Sequence, residues 1–154
     1  MNKTSQEIVA RGHIAFVQAT WHKDVVDQLR DSFRHEFSTL SDKKITFFEV
    51  PGAYEIPVFA KALAETGKYA AVVAAGLVVD GGIYRHEFVA STVIDNLMRV
   101  QMDTAMPVFS AVLTPQKFDG GEEHTAYFKK HFIEKGQEVA QACANTLKAL
   151  SNIS

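Results

Sequence analysis

Apolar and polar positions along this chain alternate between two spacings. Four segments are runs of consecutive or near-consecutive apolar residues: HIAFVQA over 13–19, KITFFEV over 44–50, the Val/Ala-rich stretch over 70–79, and PVFSAVL over 107–113. Such runs predict strands, and the third, apolar throughout, predicts a strand buried on both faces. Between them the apolar positions recur every three or four residues, as on one face of a helix. Val25, Val26, Leu29, Phe33, Phe37 and Leu40 predict a helix over 23–40. Ile56, Phe59 and Leu63 predict a second over 54–65, with Pro57 in its first turn, where a missing N–H does little harm, and Gly67 closing it. Val89, Val93, Leu97 and Val100 predict a third over 86–104. Phe128, Phe132, Val139, Cys143, Leu147 and Leu150 predict a last over 123–150, with Gly136 as a point of interruption or bending.

Four strands alternating with four helices predict a parallel sheet covered on both faces, because right-handed crossovers place a helix between successive parallel strands. The fold class is therefore α/β, a three-layer α/β/α sandwich with a flavodoxin-like parallel four-stranded sheet in the order 2-1-3-4. In such a sheet ligands bind beyond the carboxyl ends of the strands, where the order reverses between the first and third. Residues 1–154 read as a single domain, with 1–11 a polar tail. Neither an internal repeat nor a low-complexity tract is visible.

Composition narrows the functional classes. Lys and Arg number 16 against 18 Asp and Glu, without the clustered basic footprint of a nucleic-acid binder. The longest apolar run is too short to span a bilayer, and MNKTSQEIVARG lacks the apolar core of a signal peptide, so a soluble, cytoplasmic protein without membrane contact is expected. Cys143, the one cysteine, falls in the stripe of the last helix and reads as core. The six histidines show no metal-ligand spacing, so no protein-bound metal is expected.

Candidate chemistry gathers where strands meet loops. After the third strand come Asp80-Gly81-Gly82 and then the start of a helix, a combination suited to an anion: glycines let the backbone approach closely, and unpaired helix-start N–H groups favour negative charge. Arg85 adds a permanent cation and His86 a group able to move protons near neutral pH. Trp21, just beyond the first strand, is expected to face this loop across one crevice and to offer a flat surface for a ring; Glu55 offers an acid for a polyol or amide. The segment over 114–123, with its own Gly-Gly pair, reads as a lid.

FEVPGAYEIP over 48–57 closely resembles the Val-Pro-Gly-Ala-Phe-Glu-Ile-Pro motif of the 6,7-dimethyl-8-ribityllumazine synthase family. GLVVDGGIYRHEFV over 76–89 is similar to that family's Gly-x-Val-x-x-Gly-x-Thr-x-His segment, and residues 112–115 to its Val-Leu-Thr stretch. The resemblance runs over roughly residues 12 to 150, and the loop over 80–86 is similar to the type II branch. It implies an enzyme that condenses 5-amino-6-ribitylaminouracil with 3,4-dihydroxy-2-butanone 4-phosphate, releasing phosphate and two waters without a cofactor. It also implies a homo-oligomer, a pentamer and for type II a pair of pentamers, with active sites between subunits.

Residue by residue, the resemblance assigns Trp21 to the pyrimidine, Ala53, Tyr54 and Glu55 to the ribityl chain, and Leu77, Val78 and Val79 to the uracil through their backbone. Gly82 and Ile83 fall at the phosphate turn, and Ser110 at a position contributed to the neighbouring subunit's site. Ungapped alignment places Arg85 at the family's catalytic histidine, with His86 one residue later. Arginine stays protonated and shuttles protons poorly, so His86 is assigned the acid/base role and Arg85 the phosphate. His124 aligns with a phosphate-binding arginine, and Ile83 replaces a threonine, so phosphate binding weaker than in type I enzymes is expected. The alternative is a flavin- or lumazine-binding oligomer with little catalysis.

Overall fold

All four predicted strands and all four predicted helices appear in the computed structural model, which describes residues 12–80, 85–115 and 121–153. In chain order they are β1 (His13–Ala19), α1 (Lys23–Leu40), β2 (Ile45–Val50), a 3-10 turn (Ala53–Glu55), α2 (Ile56–Glu65), β3 (Tyr69–Leu77), α3 (His86–Thr104), β4 (Val108–Leu113) and α4 (Glu122–Ser151). The strands form one parallel sheet in the order β2-β1-β3-β4, the flavodoxin-like arrangement expected. Ala19 lies opposite Val50, Gln18 opposite Ala75, and Leu77 opposite Leu113, so the four strands end close together along one carboxyl edge.

Side-chain alternation divides the core between the two faces. On one, Ile14, Phe16, Val73 and Leu77 pack with Leu29, Phe33 and Phe37 of α1 and with Phe132, Cys143 and Leu147 of α4. On the other, Ala15, Val17, Val72 and Ala74 pack with Ile56, Ala60 and Leu63 of α2 and with Val89, Val93 and Leu97 of α3. From Ala70 to Leu77 every residue of β3 is buried, as a central strand covered on both faces requires. Each fully buried Phe or Leu contributes roughly 1.5–3 kcal/mol relative to exposure, so these two clusters hold the helices to the sheet.

Three local expectations are corrected. The segment over 54–65 begins as a 3-10 turn and becomes an α-helix only at Ile56, which leaves Tyr54 and Glu55 exposed. Leu40 is 45% exposed, because α1 ends there, past the edge of the core. Gly136 does not interrupt α4: it is buried within a continuous helix, where a Cβ would sit 2.6 Å from the Leu29 carbonyl oxygen and 2.8 Å from Ser32 Cβ. The glycine allows α1 and α4 to approach. The tail over 1–11 and residues 116–120 of the segment over 114–123 that reads as a lid lie outside the described residues.

Candidate functional site at the carboxyl edge

Trp21 follows the last residues of β1, and the chain on both sides of it is tied down. The Thr20 N–H donates to the Val50 carbonyl at 3.1 Å and its hydroxyl to the Pro51 carbonyl at 2.8 Å, fastening this loop to the end of β2. His22, in the left-handed region with φ 52°, turns the chain into α1, and its carbonyl accepts from Val25 and Val26 at 3.0 and 3.1 Å. The half-buried indole packs against the core cluster on the α2/α3 face and lies directly on Gly52. A Cβ on Gly52 would fall 2.4 Å from Trp21 Cζ2 and 2.6 Å from Cε2.

The segment after β2 therefore forms the seat of the indole. Pro51 and Gly52 lead into the 3-10 turn, closed by the Glu55 N–H donating to the Gly52 carbonyl at 3.2 Å. Ala53 is fully buried and anchors the turn, while Tyr54 and Glu55 project into solvent beside it. The start of α3 packs against the same turn. At the end of β3, Leu77 enters one core cluster, Val78 the other, and Val79 packs against the first. The side chains of Leu77 and Val78 are thus committed to the core, and the Val78 N–H donates to the Leu113 carbonyl at 2.9 Å.

Arg85 and His86 are neighbours with opposite environments. Arg85, exposed at the N-cap of α3, holds its guanidinium carbon 5.7 Å from the centre of the exposed Phe88 ring, a cation–π contact. His86, the first residue of the helix, is 7% exposed, and its Nε2 stands 3.6 Å from Glu87 Oε1. A cation exposed at the surface suits an anionic substrate; a buried imidazole suits a proton carrier. Gly82 and Ile83, expected at the phosphate turn, lie outside the described residues with the rest of 81–84, the middle of the 80–86 loop that Trp21 was expected to face.

His124, in the first turn of α4, packs against Phe128 in a tilted contact at 4.9 Å and 46° and helps line a depression of about 570 Å³ with Gly121, Glu122, Glu123 and Tyr127. Lys129, a turn further on, pairs with Asp24 of α1 at 3.6 Å, which sets this helix start beside that of α1 at the carboxyl edge. Ser110 is elsewhere. It lies opposite Ala74 on β4, three residues or about 10 Å short of the carboxyl edge, exposed on the sheet's outer strand, where its hydroxyl accepts from the Val112 N–H at 3.3 Å.

An ionic network braces the loop from below. Asp27 accepts from the buried Gln18 amide at 2.9 Å and from Lys23 at 3.0 Å, and meets Arg30 at 3.1 Å; Lys23 also meets Glu49 of β2 at 3.0 Å. Burial pushes the Asp27 carboxyl up, but the hydrogen bonds from Gln18 and Lys23 and the charges of Arg30 and Lys23 outweigh it and hold the group below its ordinary value. The hydrogen bonds to Asp27 and Glu49 hold Lys23 above its own. Gln18, Lys23, Asp27 and Gly52 were not singled out from the sequence. Gln18, a polar residue inside an apolar strand, was a readable signal; Gly52 was masked by the turn chemistry of Pro51-Gly52. Among the described residues no group of three or more His, Cys, Asp or Glu side chains is placed to hold a metal ion.

Comparison with known proteins places these observations in a family. Residues 11–151 match the model of the family described as 6,7-dimethyl-8-ribityllumazine synthase. The 6,7-dimethyl-8-ribityllumazine synthase of Rhodococcus erythropolis is 60% identical over 139 residues, covering 89% of this chain and 90% of the relative. The protein named 6,7-dimethyl-8-ribityllumazine synthase 2 in Bradyrhizobium diazoefficiens is 58% identical over 91% of this chain and 85% of its own length. That of the same name in Pseudomonas syringae pv. tomato is 50% identical over 99% and 94%.

Proposed function

We infer the reaction of this site from its kinship: the chain belongs to the 6,7-dimethyl-8-ribityllumazine synthase family, and it is an enzyme that condenses 5-amino-6-ribitylaminouracil with 3,4-dihydroxy-2-butanone 4-phosphate. The observation that carries the site assignment is the convergence of Trp21, the Ala53–Glu55 turn, the end of β3 and the start of α3 along one carboxyl edge. The nucleophile in this chemistry is the substrate's own amine, which attacks the ketone; water leaves to give an imine, phosphate is eliminated, and ring closure expels the second water. The protein's share is orientation, proton transfer and stabilisation of the departing phosphate, without a cofactor.

In this reading Trp21 stacks on the pyrimidine, Ala53, Tyr54 and Glu55 hold the ribityl chain, and the main chain at Leu77, Val78 and Val79 meets the uracil. His86 carries protons, Arg85 binds phosphate, and Gly82, Ile83 and His124 complete the phosphate site. The exposure of Arg85 and the burial of His86 support that division. Residues 1–154 act as one domain in the cytoplasm, assembled as a pentamer or a pair of pentamers. Support for assembly comes from the exposed apolar side chains Tyr54, Val58, Phe88, Ile94, Met98 and Met102 on the 3-10 turn, α2 and α3, and from Ser110, placed on an outer strand where a neighbouring site can use it.

Phosphate release and lumazine fluorescence with both substrates test the reading. Wild type should turn over; His86→Ala should lose about 10²-fold or more in kcat, the usual share of a general acid–base. Arg85→Ala should chiefly raise the KM for the butanone phosphate. Larger loss of kcat in Arg85→Ala than in His86→Ala would reverse the two roles. Retention of lumazine without any phosphate release by the wild type would replace the enzyme with a binding protein.

A further inference from the structure

Gly52 has φ −145° and ψ 178°, extended backbone that any residue adopts, so its conformation does not call for glycine. The space does. A Cβ there would meet three atoms of the Trp21 indole, Cζ2 at 2.4 Å, Cε2 at 2.6 Å and Nε1 at 3.0 Å, the first two closer than van der Waals contact permits. The indole cannot relieve such an overlap by a shift of its backbone. Thr20 is bonded through its N–H and its hydroxyl to the carbonyls of Val50 and Pro51, the residues just before Gly52, and the His22 carbonyl is fixed in the first turn of α1. Lys23, bridging Asp27 of α1 and Glu49 of β2, braces the loop by tying α1 to β2. Only the side-chain torsions of Trp21 remain, and turning them tilts the ring plane.

We propose that Gly52 is a positioning residue for the ring substrate: the absent side chain leaves room for the Nε1–Cε2–Cζ2 edge of the Trp21 indole against the turn and so fixes the position of the ring on which the pyrimidine stacks. The proposal rests on the stacking role given to Trp21 above and adds its structural cause. Motif glycines at Pro-Gly turns are usually assigned to backbone freedom; here the glycine sets the position of an aromatic ring instead.

Trp21 is the one tryptophan of the chain, so its emission reports on the seat without any ligand. Tryptophan emission and acrylamide quenching are measured in wild type and Gly52→Ala, and the dissociation constant for 6,7-dimethyl-8-ribityllumazine and the KM for the aminouracil in these, in Trp21→Phe and in the double variant. Gly52→Ala should raise acrylamide quenching at least about twofold, weaken lumazine binding and raise the KM by about tenfold, the lower end of what a displaced positioning group costs, while kcat stays within about threefold. Phenylalanine lacks the corner of the indole that carries Cζ2, the atom nearest the added carbon, so on the Trp21→Phe background the same substitution should cost less than about twofold, a coupling that a merely structural glycine would not show. Equal cost in both backgrounds, or unchanged quenching in Gly52→Ala, overturns the proposal. If Trp21→Phe leaves lumazine binding unchanged, the stacking role itself fails and the proposal with it, while quenching still tells whether the seat exists. If Gly52→Ala does not fold, recovery of cooperative melting in the double variant supports the seat, and failure of both overturns it.

Discussion

Asp27 concentrates in one carboxylate much of what ties β1, α1 and β2 together. Its pKa lies lower in the folded chain than in the unfolded one, so the stability it contributes is fully present above the ordinary carboxylate range and is lost as pH falls through the lower folded value. Asp27→Asn should lower the urea midpoint at pH 7 by the equivalent of about 1–2 kcal/mol, the usual worth of charge-assisted hydrogen bonds in a partly solvated place. That difference should shrink as wild type and variant are compared at steadily more acid pH. A gap that widened on acidification would mean the network stabilises something other than the ionised carboxylate. Cys143 is the opposite case: burial pushes its thiol up to about 12, with the Lys43 charge offsetting this only in part. Folded protein at pH 8 should resist a thiol-specific disulfide reagent, and one equivalent should react once the chain is unfolded; labelling at the rate of a free thiol would contradict the burial.

At the scale of elements, Gly136 reverses an ordinary rule. Alanine in place of a mid-helix glycine usually stabilises by about 1 kcal/mol, but here the added carbon meets the α1 backbone, and overpacking typically costs about 1–3 kcal/mol. Gly136→Ala should therefore leave the melting temperature lower by a few degrees in a calorimetric scan; a rise would show that α1 and α4 part without penalty. The sequence pattern located this helix and its stripe because apolar periodicity depends only on the helix's own face. It misread Gly136 because close approach depends on a partner about a hundred residues away, which no local pattern contains. The Ala53–Glu55 turn was missed for a related reason: Pro57 fits the start of a helix, and nothing local tells a 3-10 lead-in from the helix that follows it. Of the candidate site residues, Trp21, Arg85 and His86 could be picked out by residue type and by their place at strand-to-helix boundaries. Gly52 was not, since a glycine after proline already has an explanation in turn chemistry.

At the scale of the whole molecule, the α2/α3 layer presents Ile94, Met98 and Met102 to solvent at helical spacing, an uncommon arrangement for a helix already packed on its other side. If subunits meet there, Met98→Asp should shift the sedimentation of the protein toward smaller species with its far-ultraviolet circular dichroism unchanged, and an unaltered assembly would move the contact elsewhere. Within the described residues no helix is long and apolar enough to cross a membrane, so these exposed methionines are not part of a membrane span.

The pairing of α1 with α4 also has a consequence for the order in which the protein is made. Ser32 donates to the Ile133 carbonyl, Gln141 reaches Glu36 at 3.2 Å, and the apolar stripe of α1 is covered by side chains from the last helix. During synthesis α1 emerges first, and residues 41–121 must follow before the first residue of its cover exists, a wait of roughly 4–16 s at about 5–20 residues per second. Phe33 and Phe37 are then protected on the sheet side alone, and the nascent chain carries an adhesive face until the thirty residues of α4 arrive.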